Sequence, residues 1–308
     1  DGARAMIRET RDATDGPFHI NLFCHRPAVS NAETEAAWLR RLAPLFAGYG
    51  TAPPAALREI YTSFLVDDAM QAVLLEERPA VVSFHFGLPQ PERIAALKAA
   101  GIVLMSSATS LAEGRAGQAA GMDAVIAQGW EAGGHRGVFD PALPDERLAC
   151  LELTRVLARE LEVPVVAAGG IMTGGDIADA LAAGGAAAQL GTAFVGCPES
   201  AADDGYRAAL LGAAAGQTVM TPAISGRPAR CLANRFTGWA ESVAAGDVPD
   251  YPIAYDAGKA LNAAAKAGGE FGYGAQWAGQ GAARARNLPA GDMLAVLETE
   301  LRAALREA

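Results

Sequence analysis

The chain of 308 residues is long enough to bury a large core, as one large domain or two ordinary ones. Hydrophobic residues make up 51% and charged residues 19%, the balance of a folded rather than a disordered protein. A net charge of −10 excludes an electrostatic nucleic-acid or anionic-membrane footprint, which needs clustered basic residues, and leaves attraction for an anion to local groups.

The chain opens in a helical pattern around Ala3, Met6 and Ile7. Short runs rich in Val, Ile and Ala then alternate with Ala-rich helical stretches, the rhythm of βα units around a parallel sheet. The strand candidates are Phe18–Phe23, Val81–Phe86, Ile102–Ser106, Ala124–Gln128, Val163–Ala168 and Ala187–Phe194. Most are continuous apolar runs, as expected when both faces of the sheet are covered. Their carboxyl ends are polar or glycine-rich: Asn21, His85, Ser106-Ser107, Gln128-Gly129, Gly169-Gly170 and Gly191-Thr192. Chemistry at the carboxyl ends of several parallel strands is the arrangement of an α/β TIM (β/α)8 barrel, with a doubly wound open sheet as the second choice. A closed barrel needs eight strands, so two further βα units are expected ahead of Phe18–Phe23, roughly 50 residues at ~30 per unit.

After Phe194 the rhythm breaks. Residues 199–275 read as two helices around an extended segment near Thr218–Pro228, a smaller cap domain ended by Gly268-Gly269 and Gly272–Gly274. Residues 276–308 form a C-terminal segment whose amphipathic helix at 288–306 returns to the barrel of residues 1–198. Cys24, Cys150, Cys197 and Cys231 are widely separated and form no Cys-x-x-Cys pair, so neither a zinc site nor a disulfide framework is expected. With no apolar run of membrane-spanning length and no charged-then-apolar leader, a soluble cytoplasmic enzyme without a metal is the expectation.

The most informative segment is Ala127-Gln-Gly-Trp-Glu-Ala-Gly-Gly-His-Arg-Gly137, directly after a buried strand. Its glycines let the backbone approach a ligand closely, and His135 within the loop is placed to face a substrate rather than the core. Arg136 reads as a loop or surface charge. The second segment is Ala167-Ala-Gly-Gly-Ile-Met-Thr-Gly-Gly-Asp176, where Thr173 and Asp176 have capping-box spacing and free N–H groups would point from the helix start toward an anion. Gln189-Leu-Gly-Thr192 follows one strand later. Counted from the barrel's end these are strands seven and eight, where such barrels bind phosphate. The glycines do not form the Rossmann fingerprint, which favours a mononucleotide over a dinucleotide.

Those motifs resemble the class I nitronate monooxygenases, once called 2-nitropropane dioxygenases. The resemblance continues through Ser225-Gly-Arg-Pro-Ala-Arg230, Asn234-Arg-Phe236 and Trp277-Ala-Gly-Gln-Gly281, so it spans essentially the whole chain. It implies an FMN-binding barrel with a cap, oxidising alkyl nitronates with dioxygen, propionate 3-nitronate foremost. Carried over by motif position, His135 is the catalytic histidine, and Asn21, Gln128, Gly133, Gly170 and the run Gln189, Leu190, Gly191, Thr192 contact FMN. The family's early Gln-Ala-Pro-Met strand has no counterpart here.

In Val81–Phe86, Ser83 and His85 share one strand parity and Val82, Phe84 and Phe86 the other. The smaller, polar set is expected to face the barrel interior with His85 near its mouth, either as a structural histidine bound to a backbone carbonyl or as a substrate ligand. Tyr251, Tyr255 and Lys259 recur four residues apart, as one polar-tipped helix stripe, either on the surface or facing the mouth as ligands for an anionic nitronate. Flavin-dependent NAD(P)H reductases of quinone or enoyl-thioester type share the Gly-Gly-His loop and form the rival reading, followed by a flavin-binding protein without turnover.

Overall fold

A computed structural model describes residues 2–307. Its strands are β1 (His19–Phe23), β2 (Val81–His85), β3 (Val103–Ala108), β4 (Ala124–Gln128), β5 (Gly134–His135), β6 (Val165–Ala168), β7 (Ala187–Gln189), β8 (Thr218–Thr221) and β9 (Ala229–Leu232). Six of them pair in parallel in the order β1-β2-β3-β4-β6-β7, one for each apolar run in the sequence. The register sets Phe23 beside His85, Gln128 beside Ala168, and Ala168 beside Gln189, so the carboxyl ends lie level. The last strand is shorter than expected. It stops at Gln189 because Gly191 caps a short helix, Thr192–Val195.

Strand parity decides what each face does. Val82 and Phe84 are fully buried in an outer core with Leu97 and Leu104 of the flanking units, while Ser83 bonds Asn21 inside (2.7 Å). Burial of each such large apolar side chain is worth about 1.5–3 kcal/mol. Phe86 departs from the expected parity. It lies just beyond β2 with φ +74°, a left-handed conformation rare for a bulky residue, and its ring turns inward to lie 5.6 Å from that of His135. The sheet is curled, since both edge strands, through His19 and Asn21 of β1 and Gln189 of β7, line one cavity. β1 and β7 do not pair with each other among the described residues.

A second layer covers the carboxyl ends. The expected extended segment is a ribbon, β8 and β9, and β5 joins it, giving a three-stranded antiparallel sheet in the order β5-β9-β8. The helix Ala32–Ala47, capped by Asn31 accepting from the Glu33 and Thr34 amides, lies in the segment read as barrel. Its Trp38, Leu42 and Phe46 pack in one core with Phe236, Ile253 and Leu261, residues of the expected cap. The C-terminal helix Ala290–Glu307 crosses the helix Gly174–Ala182, at Gly174, where a Cβ would collide with the Leu301 amide. No helix among the described residues is long and apolar enough to cross a membrane.

Candidate active site

The level carboxyl ends form the floor of a 490 Å³ cavity, and residues of the covering layer form its roof. Asn21, His85, Gln128, Gly133, His135, Gly170, Gln189, Gly191, Thr192, Tyr251 and Tyr255 all line it. Leu190 packs instead in the apolar clusters beneath the sheet, with Ile177 and Phe194. Lys259 stays exposed at the rim, bonded to the Tyr61 hydroxyl and lying over the Tyr61 and Tyr255 rings at 4.8 and 5.2 Å.

The loop that carries His135 is braced at every point. His135 pairs with Ala229 in the ribbon, and its carbonyl accepts from both Gln128 Nε2 (2.9 Å) and His85 Nε2 (3.1 Å). Gln128 Oε1 accepts from the Gly137 amide (2.7 Å), so one side chain ties both ends of the loop. The loop's glycines serve close approach to protein more than to a ligand. A Cβ on Gly129 would meet the Cys150 backbone, one on Gly133 the Gly279 amide, and one on Gly137 the His85 ring at 2.7 Å. Arg136 is not a surface charge: it is 2% exposed, ion-paired to Asp145 (2.7 Å) and bonded to the Gln128 carbonyl, because the loop folds over it.

His135 sits among the rings of Phe86, Tyr251, Tyr255 and Trp277, whose centroids lie 5.0–6.2 Å away. Burial, with smaller contributions from His85, Arg227 and His25, pushes its pKa down to about 3, so the imidazole is neutral. Its Nε2 lies 2.9 Å from Ser225 Oγ. With the Ser225 hydroxyl donating to the Arg227 carbonyl (3.3 Å), the network assigns the proton to Nε2 and leaves Nδ1 with a lone pair and no protein partner among the described residues. His85 is likewise neutral, held at about 4, chiefly by burial. Both its nitrogens are occupied, Nε2 by the His135 carbonyl and Nδ1 by Ser107 Oγ (2.9 Å). His85 thus lines the cavity and holds His135 in place.

At the opposite end, the expected anion site at the helix Gly174–Ala182 is already filled by protein. The Asp176 carboxylate accepts from the Met172 and Thr173 amides, Thr173 Oγ1 accepts from the Asp176 amide, and Glu300 Oε2 accepts from the Gly174 amide (2.8 Å). The neighbouring amides of Gly170, Gly191 and Thr192 have no protein acceptor among the described residues. A Cβ on Gly191 would meet nothing within 4 Å. This open cradle of N–H groups at adjacent strand ends suits a phosphate.

Several residues escape a reading of the sequence. Tyr61 and Trp277 line the cavity, and Ser225 and Phe86 contact His135, yet each comes from a segment far from the glycine motifs. Ser225 and Trp277 do open two of the segments that carry the family resemblance, and that is the available signal. The Tyr251 hydroxyl is buried with no protein partner, leaving it to a ligand or water.

A family model described as nitronate monooxygenase matches residues 1–300. The chain is 62% identical over 307 residues to a nitronate monooxygenase of Paraburkholderia phytofirmans, covering 100% of this chain and 84% of that protein. It is 53% identical over 299 residues to one of Pseudomonas aeruginosa, covering 97% and 85%. Among solved structures, nitroalkane oxidase from Streptomyces ansochromogenes superposes with a TM-score of 0.91 at 40% identity, covering 100% of this chain and 87% of that one. FabK from Thermotoga maritima superposes at 0.73 with 27% identity, covering 99% and 82%. The braced histidine and the open amide cradle thus lie in a chain that belongs to the nitronate monooxygenase family and is an oxidoreductase.

Proposed function

We propose that this chain uses FMN and dioxygen to oxidise alkyl nitronates, propionate 3-nitronate foremost, with His135 as the catalytic residue. The observation that carries the reading is one cavity with a neutral imidazole, Nδ1 free, at one end and unpaired backbone amides at the other. Flavin dependence comes with the family; the mononucleotide is the finer reading. A volume of 490 Å³ is in the range of small-molecule pockets, about 300–1,000 Å³, and the amides of Gly170, Gly191 and Thr192 fit a single phosphate. Asn21, Gln128, Gly133 and Gln189 would flank the rest of the group. The six parallel strands then serve as six consecutive staves of a TIM barrel, whose sites lie at strand carboxyl ends.

Bound flavin supplies the redox chemistry. The protein's part is to place the substrate carbon, exclude water with the ring of aromatic side chains and handle one proton. A nitronate is already a carbanion equivalent and needs no deprotonation. With a neutral nitroalkane, His135 Nδ1 takes the α-proton, and the imidazolium formed keeps its Nε2–H bond to Ser225. Tyr251, Tyr255 and Lys259 run from the depth of the cavity to its rim and would bind the anionic substrate along that line.

Anaerobic mixing tests the reading. Propionate 3-nitronate should bleach the flavin and NADH should not. Rapid bleaching by NADH alone would make the chain a pyridine-nucleotide reductase, and retained flavin bleached by neither would make it a binding protein.

A further inference from the structure

Three buried arginines flank the His135 loop, and they are not equivalent. Arg136 is neutralised by Asp145 (2.7 Å). Arg230, 4% exposed, bonds the Trp130 carbonyl through Nε and Nη2 and reaches Thr218 with Nη1. Arg227, 5% exposed, has one hydrogen bond, from Nη2 to the Val138 carbonyl, and a buried Nε with no partner. No carboxylate among the described residues lies within ion-pair distance of it. Its guanidinium stands 4.3 Å over the Phe86 ring, and that ring packs against His85, His135 and His25 at 4.5, 5.6 and 6.3 Å. Burial lowers the Arg227 pKa to about 10 against the more distant carboxylates of Asp140 and Glu113, and burying a cation without a direct ion pair is costly.

We propose that Arg227 is a positioning residue for His135: a fixed, unpaired cation behind the aromatic wall that keeps the His135 imidazole unprotonated. This rests on the reading of His135 as the proton-handling group. The titratable groups that face His135 are His85 from β2, His25 just past β1, and Tyr251 and Tyr255 from the helix Ile253–Ala267 and the residues before it. Burial and then Arg227 hold His25 at about 4, burial holds His85 at about 4, and burial drives both tyrosines up, Tyr255 to about 12. All four are uncharged near neutral pH. Near neutral pH Arg227 is then the charge that faces His135, through Phe86 and without touching the cavity; in the acid range where His135 itself titrates, His85 and His25 are protonated and add to it.

The chain has 4 histidines, so their ring carbon–proton signals in the FMN-loaded protein are few enough to assign with a His135→Asn reference. In the wild type His135 should titrate well below the ordinary ~6.5. Arg227→Gln, which can still donate to Val138, should raise its midpoint by about one pH unit or more, and the acid limb of kcat/KM on a neutral nitroalkane should move with it. Arg227→Lys should stay near the wild-type midpoint. A folded Arg227→Gln with an unmoved midpoint overturns the proposal. If that variant does not fold, Arg227→Met read against Arg227→Lys decides: a methionine midpoint above the lysine one supports the proposal, and equal midpoints overturn it. A midpoint that moves as expected while His135→Asn keeps full nitroalkane turnover would leave Arg227 its role and remove the catalytic role of His135.

Discussion

The two glycine-rich segments at the ends of the cavity look alike in sequence and are built in opposite ways. In the loop 127–137, glycines let the chain press against Cys150, Gly279 and His85, and the polar groups that brace it bond within the protein. Around Gly170 and Gly191 the amides are left without protein partners, and at Gly191 a side chain would enter empty space. A glycine-rich motif therefore reports close backbone approach but not what is approached. One end mounts an imidazole on a braced loop, and the other leaves its amides open.

That contrast can be broken by substitutions. The largest effect is expected at the mounted group itself. His135→Asn should lower neutral nitroalkane oxidation by ~10²–10⁴-fold, the usual worth of general-base assistance, and nitronate oxidation far less. Steady-state kinetics on both substrates decide it; equal losses would make His135 an electrostatic or orienting group, and no loss would remove it from the site. Next comes the mount. Gly133→Ala drives a methyl into the Gly279 amide, and overpacking of this kind costs about 1–3 kcal/mol, so the melting temperature should fall by several degrees. Gly191→Ala should leave it unchanged. Equal melting temperatures would mean that the loop has room to give.

The buried histidines predict the direction of the pH dependence. His135 is held at about 3 and His85 and His25 at about 4 in the folded protein, below the ~6.5 of an unfolded chain, so the unfolded state binds more protons in between. Their contribution is complete above about pH 6.5 and is lost as pH falls through the folded values of about 4 and about 3, at up to roughly 4 kcal/mol per pH unit for the three. Urea midpoints at pH 7.5, 6 and 5 should fall in that order, and a flat series would place a proton on these rings in the native state. The smallest effect belongs to the rim. Lys259 is exposed and held by Tyr61, so Lys259→Met should raise KM for a nitronate about 2–5-fold with kcat unchanged, an effect that salt should mask.

Local pattern makes much of this legible. All six parallel strands are visible as apolar runs with polar ends, and the alternation in Val81–Phe86 shows that Ser83 and His85 turn from Val82 and Phe84. What stays hidden depends on pairing between distant segments. Nothing near residue 38 tells that Trp38 shares a core with Phe236 and Leu261, and two residues, Gly134 and His135, are too few to read as a strand without their partner β9. Arg136, in a polar loop, reads as a surface charge, and only the folded chain shows it buried. The capping box is legible at Thr173 and Asp176, but the carboxylate that takes the Gly174 amide comes from Glu300, on the C-terminal helix.

The separation of mount from cradle is tested most directly by the FMN dissociation constant of His135→Asn and Gly191→Val, measured side by side with the wild type. The added isopropyl group would stand where Gly191 leaves the backbone open, at an ordinary φ of −114°, so its effect reads ligand contact without backbone strain. FMN should bind at least about tenfold more weakly to Gly191→Val, the loss of roughly one charge-assisted hydrogen bond, and with near wild-type affinity to His135→Asn. FMN binding that survives Gly191→Val, or that collapses in His135→Asn while the fold is intact, would contradict that separation.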